Sequence, residues 1–258
     1  MSELEEQGRR RRAQEAIEEN RAWYHSIELA PGVVTPGHVD MRRVAARVFP
    51  DDLSGRRALD VGTFDGFWAF EMEKRGAEVV AIDVERIEHA EWPPVQRERL
   101  KRQSDRHGVE LGLGFRLASE LLGSNVRRVT CNVYDLDPEV IGGPVDFVFS
   151  GAIMLHLRDP VKALERIAEA LHPGGELRLF EPFSLALTVR SPRTPAARFS
   201  AIDTEFNWWV PNLAGLRAWP LAAGFAEVER LALLRPPSVR QMRHLYAALA
   251  CRTAPAHM

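Results

Sequence analysis

The segment LDVGTFDG at 59–66 joins an apolar run at 57–61 to a helix expected over 67–75, and a second apolar run follows at 78–83. Strand, crossover helix and strand make a βαβ unit, and such units build parallel sheets with right-handed connections. The α/β class follows, and all-helical and all-antiparallel folds are excluded for this part of the chain. The rhythm continues with a charged segment of helical spacing at 97–125 and a third strand at 126–133. A fourth strand at 145–150 is almost entirely apolar, as a strand covered on both faces must be. A helix over 160–171 is halted by HPGG, and a fifth strand follows at 176–181. A helix over 213–223 and strands near 227–234 and 244–252 close the sheet as an antiparallel hairpin.

Two stretches break the pattern. Residues 3–22 are helix-forming but mostly polar, with the Arg9–Arg12 run read as a solvated face, and 23–40 is a structured loop rich in Pro, Gly and aromatics. A short helix over 41–49 precedes the core. Residues 182–212 carry four prolines with Phe183, Phe199, Phe206, Trp208 and Trp209, the composition of a lid or specificity insert.

The 258 residues hold 34 Lys+Arg against 36 Asp+Glu, a formal charge of −2, so no global attraction to phosphate backbones is expected. No apolar stretch approaches the roughly 20 residues that cross a bilayer. A soluble cytoplasmic protein, monomer or homodimer, is the expectation. Cys131 and Cys251 are read as buried strand residues, since neither has Cys or His neighbours at metal-ligand spacing.

The 59–66 turn sits where open α/β sheets bind nucleotide-like ligands, at the carboxyl ends of strands. Gly62 and Gly66 permit a tight turn and close ligand approach. Asp83, 21 positions after Gly62 and ending strand two, is placed to bind ribose hydroxyls. A dinucleotide fingerprint anchored on Gly62 requires Gly at 64 and 67, where this chain has Phe64 and Phe67. A phosphate-free adenosyl ligand, S-adenosylmethionine, suits the turn better, with Thr63, Phe64, Asp65 and Val84 beside it.

These residues resemble a known family, the class I S-adenosylmethionine-dependent methyltransferases. Within it the chain is similar to the tRNA wobble-uridine 5-oxyacetate (mo5U34-type) methyltransferase-like group. The resemblance rests on WYHSIEL…VVTPG at 23–37, LDVGTFDGFWAFEMEKRGA at 59–77, LHLRDP at 155–160, PGG at 173–175 and WWVPN at 208–212. It implies a Rossmann-like, seven-stranded, mostly parallel sheet with an antiparallel last strand and helices on both faces. It also implies an adenine-reading loop at Asn132, Val133, Tyr134 and Asp135, and a transferred methyl pointing toward 150–156, beginning with Ser150 and Gly151. Members handling carboxy-S-adenosylmethionine carry Tyr where this chain has Leu155, so plain S-adenosylmethionine is favoured, with S-adenosylhomocysteine as product. The expected organisation is an N-terminal cap, 1–53, over a cofactor-binding domain, 54–258, with the insert at 182–212.

Methyl transfer is an in-line displacement helped by positioning and desolvation, and a hydroxyl acceptor also wants a base. The candidates are His25, His156 and Glu181. Each has a structural alternative: His25 packing under the lid, His156 bracing the RDP turn, Glu181 capping a helix start. Tyr24, His25, Leu155, Trp208 and Trp209 are expected to enclose the acceptor. The leading reading is methylation of a small molecule of specialised metabolism. Its alternatives are a tRNA uridine modifier with a basic face around Arg9–Arg12, Arg42, Arg43, Arg97, Arg99, Lys101 and Arg102, and a non-catalytic adenosyl-binding module.

Overall fold

The computed structural model describes residues 3–202, 206–235 and 245–256. Helices α1 (Glu3–Glu19) and α2 (Arg42–Val48) flank a small antiparallel ribbon of Glu28–Ala30 and Val33–Val34. There follow β1 (Arg57–Val61), α3 (Phe67–Glu73), β2 (Glu78–Asp83), α4 (Pro94–His107), α5 (Leu113–Leu122), β3 (Arg127–Thr130) and α6 (Pro138–Ile141). The chain continues through β4 (Val145–Gly151), α7 (Pro160–Ala170), β5 (Leu171–Phe183), α8 (Leu185–Arg190), α9 (Leu213–Ala222), β6 (Glu227–Leu234) and β7 (Leu245–Arg252).

The seven strands form one sheet in the order β6-β7-β5-β4-β1-β2-β3. Neighbours from β3 to β5 are parallel, and β7 runs against both β5 and β6. This is the doubly wound arrangement expected from the βαβ repeats. Side chains alternate across each strand and build two cores. Ala58, Phe147, Phe149 and Phe180 face one side with Ala13, Val44, Trp68 and Phe115. Leu59, Val61, Val148 and Leu177 face the other, against Ala163, Leu164 and Ile167 of α7 and Leu216 of α9. Helix starts are set locally: Asp159 accepts the Lys162 amide ahead of Pro160, and Asn212 accepts the Gly215 amide.

Several boundaries differ from expectation, each for a physical reason. The third strand stops at Thr130 because Asn132 caps a 3-10 turn at Val133–Asp135. Cys131 therefore lies beyond the strand and is half-buried, whereas Cys251 is buried in β7. The single helical segment over 97–125 is two helices, parted by left-handed Gly108 and Gly112. Helix α3 ends at Glu73, two residues early. Strand β5 begins at Leu171 rather than 176, its register with β4 shifting where HPGG bulges out at left-handed Gly174. The 23–40 loop holds the small ribbon and a bridge from His25 to Val39. His244, the expected start of the last strand, lies outside the described residues.

Candidate active site

Beyond β1 the backbone takes left-handed values at Gly62 (φ +74°), Phe64 (φ +49°) and Gly66 (φ +88°). The glycines adopt these freely; for Phe64 the conformation costs about 1–2 kcal/mol. Asp83 offsets that strain: its Oδ2 accepts the Phe64 amide at 2.7 Å, and its Oδ1 accepts the Val84 amide at the same distance. A carboxylate has about four lone-pair sites, so each oxygen retains one for a ligand hydroxyl. Burial raises the Asp83 pKa, opposed by these two amides and by Arg128.

Beside this turn a cleft of about 570 Å³ runs along the ends of β2 and β3, lined by Val84, Glu88, His89, Glu91, Thr130, Cys131, Asn132, Asp135 and Val140. Asn132 spans it, its Oδ1 accepting the Tyr134 amide at 3.0 Å and its Nδ2 donating to His89 O at 3.2 Å. Val133 packs into the core beneath. The Tyr134 hydroxyl accepts the Asp159 amide at 2.8 Å and anchors the start of α7.

At the ends of β1 and β4 three polar atoms are buried without a protein partner: Asp60 Oδ2, Thr63 Oγ1 and Ser150 Oγ. Burial lifts the Asp60 carboxyl to about 7. Groups left bare in this way are costly to desolvate and need a ligand or water to satisfy them. A Cβ on Gly62 would overlap Ile153 Cδ1, and one on Gly151 would strike the Phe149 ring. At Gly62 the left-handed φ adds to that crowding, so a side chain there is strained as well as hindered.

The N-terminal segment reaches across this edge. Asp65 Oδ2 accepts the Tyr24 and His25 amides at 3.0 and 2.7 Å, and Asp65 Oδ1 lies 2.6 Å from His25 Nδ1. An ionised carboxylate only accepts, so Nδ1 carries a proton, and in the neutral imidazole Nε2 is the nitrogen that holds the lone pair. The imidazole stacks on Phe67 with ring centroids 5.1 Å apart and meets Tyr24 and Trp68 edge-on. Tyr24 in turn touches the Phe64 ring at 6.0 Å.

The 182–212 insert docks on the turn after β4. Trp208 donates its amide to Leu155 O at 2.8 Å and its indole N–H to Glu91 O, so one residue bridges the post-β2 and post-β4 segments. The Trp209 indole donates to Arg158 O at 3.0 Å, and the Arg158 guanidinium lies 4.8 Å over the Trp208 ring. His156 Nδ1 meets Phe206 O at 2.9 Å. Asn212 ties the base of the insert, accepting from Ala196 and Gly215 and donating to Ser191 and Thr194 carbonyls. Glu181, at the end of β5, accepts the Ile153 and Met154 amides at 2.7 and 2.9 Å.

The structure thus gathers Gly62, Thr63, Phe64, Gly66, Asp83, Val84 and Asn132 at one edge and couples Tyr24, His25 and Asp65 beside them. His156, Trp208 and Trp209 belong to the joint between insert and core, with Leu155 buried below. Sequence reasoning passed over Asp60 and Ile153. A charged residue inside the strand 57–61 was a readable signal for Asp60; Ile153 carried none. Among the described residues no cluster of His, Cys, Asp or Glu is arranged to hold a metal, and no helix is long and apolar enough to cross a membrane.

Comparison with known proteins agrees with this geometry. Residues 37–229 match the family described as a methyltransferase domain. A tRNA U34 carboxymethyltransferase of Azotobacter vinelandii (strain DJ / ATCC BAA-1303) is 32% identical over 184 residues, covering 70% of this chain and 49% of that protein. That of Pseudomonas fluorescens (strain Pf0-1) is 28% identical over 185 residues, covering 71% and 50%. The chain spans about half the length of the curated relatives it matches. In fold it is similar to the N-terminal domain of EvdMO1, solved in the presence of SAH and D-fucose, with TM-score 0.57, 18% identity and 98% of each chain covered. It is also similar to Burkholderia thailandensis 1,6-didemethyltoxoflavin-N1-methyltransferase, solved with 1,6-didemethyltoxoflavin and S-adenosylhomocysteine, with TM-score 0.54, 19% identity, and 83% and 78% covered. With its sheet order, its glycine turn and a family match over most of its length, the chain belongs to the methyltransferase-domain family.

Proposed function

We propose that the protein is an S-adenosylmethionine-dependent methyltransferase whose acceptor is a small molecule held under the 182–212 insert. The residues present fit this cofactor. Asp83 retains lone pairs for ribose hydroxyls beside the left-handed turn of Gly62, Phe64 and Gly66. The cleft lining includes Glu88, Glu91 and Asp135 and no Lys or Arg. Glu88 is paired with Lys101, so Glu91 and Asp135 are what leave the lining acidic, a charge that repels a pyrophosphate and tolerates a sulfonium ligand without phosphates.

The cofactor supplies an electrophilic methyl on a sulfonium. The chain's own groups orient, desolvate and deprotonate the acceptor. His25, fixed by Asp65, presents Nε2 as proton acceptor, and the Tyr24, Phe67 and Trp68 rings exclude water around it. The observation that supports the small-acceptor reading is Trp208, which bridges Glu91 and Leu155 and so lays the insert against the turn after β4. Calorimetry with S-adenosylhomocysteine tests the cofactor assignment: Asp83→Ala should weaken binding by about tenfold or more, roughly one charge-assisted hydrogen bond. Unchanged affinity removes Asp83 from the site.

A second reading, a tRNA wobble-uridine acceptor, is supported by the names of the relatives, which favour it over the first. The charge pattern favours a small acceptor. Arg11 and Arg12 pair with Glu15, Arg42 with Asp40, Lys101 with Glu88, and Arg97 is turned onto the Glu88 and Ala90 carbonyls. Titration with tRNA at two salt concentrations separates the readings. Tight binding that falls steeply with salt establishes the RNA acceptor, and binding no stronger than to unrelated RNA rejects it.

A further inference from the structure

Two carboxyl groups stand in matching places at the carboxyl edge of the sheet. In the strand order β5-β4-β1-β2 the turns after β1 and β4 are neighbours, and each holds a residue with a side chain in the left-handed region, Phe64 (φ +49°) and Ala152 (φ +56°). Such a backbone is disfavoured outside glycine and persists only where its surroundings hold it. Asp83, which ends β2, holds the first turn through the Phe64 and Val84 amides. Glu181, near the end of β5, holds the second: its Oε1 accepts the Ile153 and Met154 amides at 2.7 and 2.9 Å. The residue is 1% exposed, and among the described residues its Oε2 has no partner.

This second clamp fixes a contact between the two turns. Ile153 directly follows Ala152, and its side chain lies against Gly62, where a Cβ would overlap Ile153 Cδ1 and Cγ1. Ile153 thus fills the side of Gly62 on which any other residue would carry its side chain. Gly62 donates its amide to Ile82 O at 2.9 Å, and two positions on Phe64 donates to Asp83. The post-β4 turn is tied to β5 by the Ala152 amide on Phe180 O at 2.8 Å. Its far half is held by the insert, through the Trp208 amide on Leu155 O at 2.8 Å and the contact of His156 Nδ1 with Phe206 O. Glu181 holds the half that faces Gly62.

We propose that Glu181 is a positioning residue for the cofactor. It holds the left-handed post-β4 turn so that Ile153 buttresses Gly62, which keeps the Phe64 amide, and with it the Asp83 carboxylate, in place for the ribose. The proposal rests on the methyltransferase reading and adds to it a residue that touches no reactant. Close-packed interiors pass a displacement on rather than absorb it, so the contact of Ile153 with Gly62 suffices to link the turns. Removing the acceptor leaves two amides unsatisfied, and they draw the turn toward water. Glu181 exchanges no proton in this role, because Oε1 accepts the amides from either the acid or the carboxylate.

The test uses the full-length protein with E181A, E181Q, I153A and the double variant E181A/I153A. Glutamine keeps an oxygen for the two amides; alanine does not. Amide exchange without ligand should quicken at Gly62 and Phe64 by about tenfold in E181A relative to amides inside β1, and by less than about threefold in E181Q. In calorimetry E181A and I153A should each weaken S-adenosylhomocysteine by about tenfold, roughly 1.4 kcal/mol, and E181Q by less than about threefold. The double variant should bind no more than about twofold worse than the poorer single one, since both substitutions break one contact. L164A, which opens a cavity in the core under α7, should lower stability and leave that affinity unchanged. Unchanged exchange at Gly62 and Phe64 in E181A, losses that multiply in the double variant, or an L164A that binds as poorly as E181A overturns the proposal. So does an I153A that binds as well as wild type or better, which would make the side chain idle or an obstruction. Failure of the wild type to bind S-adenosylhomocysteine instead removes the underlying methyltransferase reading, and the exchange measurement, made without ligand, still decides whether Glu181 holds the two turns together.

Discussion

Two buried carboxyls set an unusual pH response at the residue scale. Burial raises Asp60 to about 7 and Glu181 to about 8, so between roughly pH 4.5 and 8 the folded chain binds more protons than the unfolded one. Stability therefore falls as pH rises through that window, the reverse of a salt-bridged carboxylate. Glu181→Gln should flatten the upper part of the curve and leave the variant more stable than wild type at about pH 9 by roughly 1–2 kcal/mol. Urea unfolding at acidic, neutral and alkaline pH checks this, and parallel curves for the two proteins would contradict it. Asp65→Asn addresses the neighbouring dyad: the asparagine keeps most of the volume but can turn an amide donor toward His25. Turnover should fall by about tenfold or more with affinity for S-adenosylhomocysteine nearly intact. Equal turnover would leave His25 a packing residue.

Among elements, the insert is held at few points, and these should be separable. Asn212→Ala removes a helix cap together with two donors to loop carbonyls, and should lower stability by about 2 kcal/mol. Trp208→Phe keeps an aromatic ring but deletes the N–H that reaches Glu91. Amide exchange in 88–99 should quicken in that variant while the sheet stays protected; an unchanged exchange pattern would show that the bridge does not restrain the segment. The same elements mark what a reader of the sequence can and cannot see. Strands such as β4 declare themselves because burial on both faces demands an apolar run, and the turn at 59–66 declares itself because Gly62 and Gly66 must be left-handed. The pairing of Asp65 with His25 was not legible: Asp65 reads as part of the cofactor turn, and nothing in 20–30 names a partner 40 positions away. Asp83 was legible as a residue at a strand end, but its grip on the Phe64 amide depends on an unfavourable φ that sequence does not display. Tyr246 stacks on Phe180 only because β7 inserts between β5 and β6, a fact of topology.

Over the whole molecule, the two cores divide the chain unevenly, and the N-terminal segment belongs to one of them. Ala13, Ala16, Trp23, Ile27 and Leu29 share a cluster with Phe147 and Phe149 of β4. Removing residues 1–19 takes away a helix that buries only two alanines, so unfolding should shift modestly. Removing residues 1–27 should be far more damaging, by about 3–5 kcal/mol, because it strips the Tyr24 and His25 amides and the His25 ring from a buried carboxylate at Asp65. Thermal unfolding of the two truncated chains, compared with the intact one, measures the difference.

The clasp on Asp65 also bears on how this protein can be recombined. A graft that carries 54–258 onto another front end inherits an aspartate whose charge is balanced by peptide groups it has left behind. Chimeras should therefore cross over upstream of Trp23, or bring a donor of their own to that carboxylate, if the nucleotide edge is to keep its shape.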